Sequence, residues 1–133
     1  MPFAGEGAGL MRSINSLEEL NIPQNHILYL ERLLKYLKTF PKVERVVLFG
    51  SCAKNSATPS SDIDLLVLGP EMTDDDEWDI AWNCPKWDDI QYVSCDILSG
   101  TYDSYEKLSK VPGMVQHAIE LRGVDLSELL RAC

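Results

Sequence analysis

Two aspartates, Asp62 and Asp64, stand one residue apart at the head of an apolar run made of Ile63, Leu65, Leu66, Val67 and Leu68. Strand side chains alternate, so residues two apart share a face and the two carboxylates leave neighbouring pleats in the same direction. Like charges held that close repel unless a proton or a cation joins them. The run after Asp64 reads as a strand buried on both faces, where an unpaired carboxylate is costly, and a divalent cation resolves the conflict. A solvent-facing edge strand is the other reading of such a pair. The unbroken apolar residues after Asp64 argue against it.

Upstream, Val46, Val47, Leu48 and Phe49 form a second apolar run that stops at Gly50 and Ser51. A small-residue turn of this kind brings backbone N–H groups close to a ligand and suits phosphate. By itself it is a common turn, and Lys54 by itself is a solvated loop lysine as readily as a phosphate ligand. Two better-known phosphate motifs are absent: there is no Gly-x-x-x-x-Gly-Lys-[Ser/Thr] and no Gly-x-Gly-x-x-Gly. The acidic run Asp74, Asp75, Asp76 and Glu77 lacks the alternating ligands and central glycine of a calcium loop. It reads as a helix start capped by Thr73, with acids at the positive end.

The ordered combination is the specific signal: strand, Gly-Ser turn, about ten polar residues, then a strand opening Asp-x-Asp. It resembles the nucleotidyltransferase superfamily that includes the polymerase-beta-like enzymes. Within it, Phe49-Gly50-Ser51-Cys52-Ala53-Lys54-Asn55 and Ser61-Asp62-Ile63-Asp64-Leu65 look most like the signature of the minimal nucleotidyltransferases. The resemblance implies an α/β polymerase-beta-like fold, a small mixed β-sheet with helices packed on it. It also implies nucleotidyl transfer with two magnesium ions, probed chemically by the preference of that hard cation for carboxylate oxygen. Asp62 and Asp64 would hold both ions. Asp96, in the alternating stretch of residues 92–98, would share one and accept the proton of the attacking hydroxyl. Asp88 and Asp89 are weaker candidates for that third acid. Gly50 and Ser51 would bind the β- and γ-phosphates, Lys54 the outer phosphate charge, and Ser61 belongs to the same nucleotide-binding set. The substrate would be ATP or another nucleoside triphosphate. Two departures stand out. Cys52 replaces an arginine and so removes a fork-like phosphate contact, and Asn55 replaces a glycine in a turn whose left-handed backbone Asn tolerates.

Composition bounds the rest. The 133 residues suit a single domain, and 45% hydrophobic residues are enough for a core. Cys52, Cys84, Cys95 and Cys133 show no Cys-x-x-Cys spacing and are accompanied by only His26 and His117. Free thiols in a cytoplasmic protein are therefore expected, and no structural zinc. No apolar stretch approaches the ~20 residues of a membrane span. The Gly- and Ala-containing start reads as a flexible leader over residues 1–15 rather than a signal peptide. With 21 acidic against 12 basic residues and a net charge of −9, polyanionic partners are disfavoured, which weighs against a polymerase or an RNA-tailing enzyme. A nucleotide arriving with magnesium meets less repulsion.

The elements that must position these residues follow from periodicity. Ile27, Leu30, Leu33, Leu34 and Leu37 make one helical stripe over residues 25–39, stopped by Pro41. Strands are predicted at residues 46–49, 62–68 and 90–98, the acidic helix crossing between the last two. A helix over residues 105–121 closes on Gly123, and Leu126, Leu129 and Leu130 mark a short terminal helix, as core or as part of a docking face. Larger superfamily members carry a second domain for the acceptor, and 133 residues leave no room for one. The resemblance supplies an alternative: minimal nucleotidyltransferases pair with small helical HEPN-type proteins, ribonuclease toxins that some of them neutralise by adenylating a tyrosine. Three functions stay open, namely a protein nucleotidyltransferase, a noncatalytic antitoxin-like binding module, and a small-molecule enzyme of the aminoglycoside-modifying type whose pocket a homo-oligomer completes.

Overall fold

The computed structural model describes residues 11–90 and 93–133. Five strands form one mixed sheet in the order β1-β5-β2-β3-β4. β2 (Arg45–Phe49) runs antiparallel to β3 (Ile63–Leu68), which lies parallel to β4 (Cys95–Gly100). On the other side of β2 comes the short β5 (Val124–Asp125), antiparallel to it, and then β1 (Arg12–Ser13), parallel to β5.

The helices follow from local chemistry. α1 (Gln24–Lys38) turns its five-residue apolar stripe inward, with Leu30, Leu33 and Leu37 completely buried. Lys35 and Lys38 fill its last turn, where cations oppose the negative helix end. α2 (Asp74–Trp82) starts at the expected cap: the Thr73 hydroxyl accepts from Asp76 N–H, and the Asp76 carboxylate accepts from Thr73 N–H in return. Only Ile80 of this helix is buried. Trp78 and Trp82 stack on each other in the open, their ring centroids 5.1 Å apart. α3 (Tyr102–Ser109), α4 (Val115–Arg122) and α5 (Ser127–Ala132) complete the chain.

Each sheet face has its own core. Val46, Leu48, Ile63, Leu65 and Val67 meet α1 together with Leu126 and Leu130. The alternate residues Val47, Leu66 and Leu68 meet Tyr105 of α3 and Ile119 of α4. β3 is therefore buried on both sides, as its apolar run requires, and each such Leu or Ile contributes about 1.5–3 kcal/mol by leaving water. Between β5 and β2, Asp125 ties the sheet edge together: it accepts from Ser127 N–H and Oγ and pairs with Arg45 at 3.2 Å, while Ser127 Oγ accepts from Val46 N–H.

Three sequence expectations change. The helix expected over residues 105–121 is two helices, because Pro112 offers no N–H and Gly113 takes φ +96° between them. The third strand begins at Cys95 rather than residue 90; Ile90 is buried from a turn closed by its N–H on Trp87 O at 3.1 Å. Residues 91 and 92 lie outside the described residues. Ordered structure starts ahead of residue 16: Arg12 and Ser13 pair with β5 and Ile14 is 1% exposed. The leader expected over residues 1–15 is thus corrected for residues 12–14, and its first ten residues lie outside the described ones. Leu126 and Leu130 are core, with Leu129 packed partly against it, the first of the two readings of this segment. Among the described residues no helix is long and apolar enough to cross a membrane.

Candidate active site

Asp64 sits inside β3, opposite Phe49 of β2 and level with Asp96 of the parallel strand β4. Alternation puts Asp64 on the face of Leu66 and Leu68, the face covered by α3 and α4. The acids therefore gather at one end of that face. Asp62 lies just before the strand, exposed, and its Oδ1 accepts a hydrogen bond from the Ser94 hydroxyl. Asp96 is exposed and Asp64 only partly so. Burial, then Asp96, then Asp62 push the Asp64 carboxyl above its ordinary value. Asp96 and Asp62 thus both act on Asp64, as like charges near one site do.

The turn after β2 is built against this carboxylate. Gly50 has φ +76°, and a Cβ placed on it would stand 2.3 Å from Asp64 Oδ2. Glycine is required twice over, for the backbone and for the approach. Residues Gly50–Cys52 make a 3₁₀ turn, closed by Ala53 N–H on Gly50 O at 3.1 Å and Lys54 N–H on Ser51 O at 3.2 Å. Asn55 takes φ 59°, the left-handed conformation expected of it. Cys52 changes the reading of its position. It is completely buried, its Sγ donates to Asp62 O at 3.5 Å, and burial followed by the nearby Asp64 charge pushes its thiol up to about 11. Position 52 in this chain is a core position joining the turn to the aspartate strand. The phosphate contact expected to be lost there is not one this side chain could make.

Ser61 organises the loop before the acids. Its N–H donates to Thr58 O at 2.9 Å, its Oγ accepts from Thr58 N–H at 2.8 Å, and its carbonyl accepts from His26 Nε2 at 2.7 Å. His26 stands completely buried in the first turn of α1, its Nδ1 without a hydrogen-bond partner. It fastens the Asp62 approach to the first helix. Of the weaker acid candidates, Asp89 is committed elsewhere: it takes both guanidinium nitrogens of Arg32, at 2.7 and 2.8 Å. His26 carried no signal in the sequence. Ser94 did, lying two residues before Asp96 and so on the same strand face.

The three acids offer only carboxylate oxygens, the donors a hard divalent cation prefers. Among the described residues no three Asp, Glu, His or Cys side chains form a preformed metal cage. The burial and neighbouring charges that raise Asp64 are nevertheless what a bound cation would offset. These residues fit such an ion.

A β-strand ending at a tight glycine turn is paired antiparallel with an aspartate strand and flanked by a further acid, the arrangement that the resemblance to nucleotidyltransferases implies. The nucleotidyltransferase domain family matches residues 30–122, most of the chain, and the protein belongs to that family. The five-stranded mixed sheet with its helices is consistent with the polymerase-beta-like fold. Among solved structures, a protein proposed to be a nucleotidyltransferase, from Sulfolobus solfataricus, is 26% identical; the match covers 58% of this chain and 76% of that one, at a TM-score of 0.37. So loose a superposition bears no weight here. No curated protein matches the chain.

Proposed function

We propose that the protein transfers a nucleoside monophosphate, AMP from ATP, to a hydroxyl of a partner protein. The observation that carries this reading is the meeting of Asp64 with Asp96 in register while the Gly50 turn abuts the Asp64 carboxylate. Magnesium, held by Asp62, Asp64 and Asp96, would polarise the α-phosphate and offset the charge of the leaving pyrophosphate. The chain's own parts do the rest. Gly50 and Ser51 receive the phosphates beyond the α-phosphorus, and Lys54 offsets their charge. Asp96 accepts the proton of the acceptor hydroxyl as its oxygen bonds to that phosphorus and the bond to pyrophosphate breaks. The Ser94 hydroxyl orients Asp62, and His26 fixes the loop that leads to it.

A protein acceptor fits the described residues, which make up one sheet and the helices packed on it. The acceptor we favour is a tyrosine of a small helical HEPN-type toxin, which makes the protein an antitoxin. Its four unbridged cysteines suit the cytoplasm. The test is intact mass of the protein and any co-purifying partner after incubation with each nucleoside triphosphate and magnesium. A gain of one nucleoside monophosphate on the partner, absent with an Asp62→Asn, Asp64→Asn double variant, supports the reading and names base and acceptor. No gain together with no nucleotide binding favours a noncatalytic binding module.

A further inference from the structure

Between the Gly50–Cys52 turn and α4 lies a cavity of about 340 Å³, lined by Phe49, Gly50, Lys54, Val115, Leu121 and Arg122 among others. Its walls are largely apolar, and its two permanent cations reach it from separate elements, Lys54 from the turn and Arg122 from the last turn of α4. A cation closing a helix is ordinary. One that lines the same cavity as a second cation is not, least of all in a chain with 21 acids to 12 bases. Arg32, Lys42, Arg45, Lys110 and Arg131 each take a carboxylate. Among the described residues Lys54 and Arg122 take none, and neither do Arg12, Lys35, Lys38, Lys86 and Lys107; what sets the two apart is the cavity they share beside Gly50.

The sheet order says what these cations face. Gly50 ends β2 and Asp96 lies on β4, on opposite sides of Asp64 in β3. In-line displacement needs the attacking oxygen and the leaving group on opposite sides of phosphorus. With the acceptor entering by Asp96, the leaving group points toward Gly50 and this cavity. Both side chains are exposed and so free to swing onto a ligand at the cavity mouth, and a guanidinium fork matches two phosphate oxygens.

We infer that Arg122 is a second phosphate-binding residue, which with Lys54 holds the β- and γ-phosphates of the donor and then the departing pyrophosphate. The inference rests on the nucleotidyl-transfer reading above. Arg122 supplies from α4 the guanidinium that position 52, buried in the core, does not offer.

Calorimetric titration with inorganic tripolyphosphate and with ATP, both with magnesium, tests it on the wild type and the variants Arg122→Gln, Arg122→Lys and Lys54→Gln. Arg122 is exposed, so its variants should melt as the wild type does. Expected is a loss of about tenfold or more in affinity for both ligands in Arg122→Gln, with part recovered in Arg122→Lys. Wild-type affinity for both ligands in Arg122→Gln overturns the inference and leaves the nucleotidyl reading standing. A wild type that binds tripolyphosphate through Arg122 but no nucleoside triphosphate keeps a phosphate site at Arg122, and removes both its role toward a donor and the nucleotidyl reading. Binding of neither ligand removes both.

Discussion

Gly50 is where the residue chemistry is least forgiving. Its positive φ and the 2.3 Å between a built Cβ and Asp64 Oδ2 leave no room for alanine. Gly50→Ala should cost about 2 kcal/mol of stability or more, read by urea denaturation, and displace the Asp64 carboxylate. Cys52 makes the opposite point. Restoring the family arginine by Cys52→Arg puts a charge where the thiol is completely buried, and should destabilise by about 3 kcal/mol or more rather than improve ATP affinity. Asp64 sets a pH dependence. Its folded-state carboxyl lies above the ordinary 3.8, so the folded chain holds the proton more tightly than the unfolded one. That contribution is fully present below pH 3.8 and is lost as pH rises through the raised value. At neutral pH without magnesium, Asp64→Asn should therefore melt higher than the wild type, the gap closing below pH 3.8. Magnesium should raise the wild-type melting temperature and leave the variant's unchanged.

At the scale of elements, Asp125 joins β5, β2 and the start of α5. It serves Ser127 N–H, Ser127 Oγ and the Arg45 guanidinium from a nearly buried position. Asp125→Ala leaves Arg45 without this carboxylate and should cost about 3 kcal/mol, measured by chemical denaturation. The elements nearest the acids were the most legible in the sequence. The stripe of α1, the cap at Thr73 and the two central strands each follow from a repeated local pattern that tertiary packing only reinforces. Where the reading failed, a single residue or a distant contact decided. Pro112 and Gly113 break one helical stripe into two helices, and apolar Ile90 is buried from a turn rather than a strand. Residues 12 and 13 form a strand only because β5, more than a hundred residues later, lies beside them. His26 and Arg122 escaped for the same reason: what each faces, Ser61 O and the cavity at Gly50, is set by packing between elements far apart in sequence.

For the whole molecule, charge and size act together. A net charge of −9 repels polyanions at long range, and under the proposed function the cations at the Gly50 end would offset that repulsion locally for a nucleotide escorted by magnesium. The acids and the turn lie on the neighbouring strands β4, β3 and β2, which under the proposed reaction is the order acceptor, metal, leaving group. The most direct test of nucleotidyl transfer is to supply ATP labelled at either the α- or the γ-phosphate, with magnesium and the co-purified partner, and follow the label. Protein-bound label from the α-phosphate alone, abolished in Asp64→Asn, is the expected result. Label arriving from the γ-phosphate, or α-label undiminished in Asp64→Asn, would contradict it.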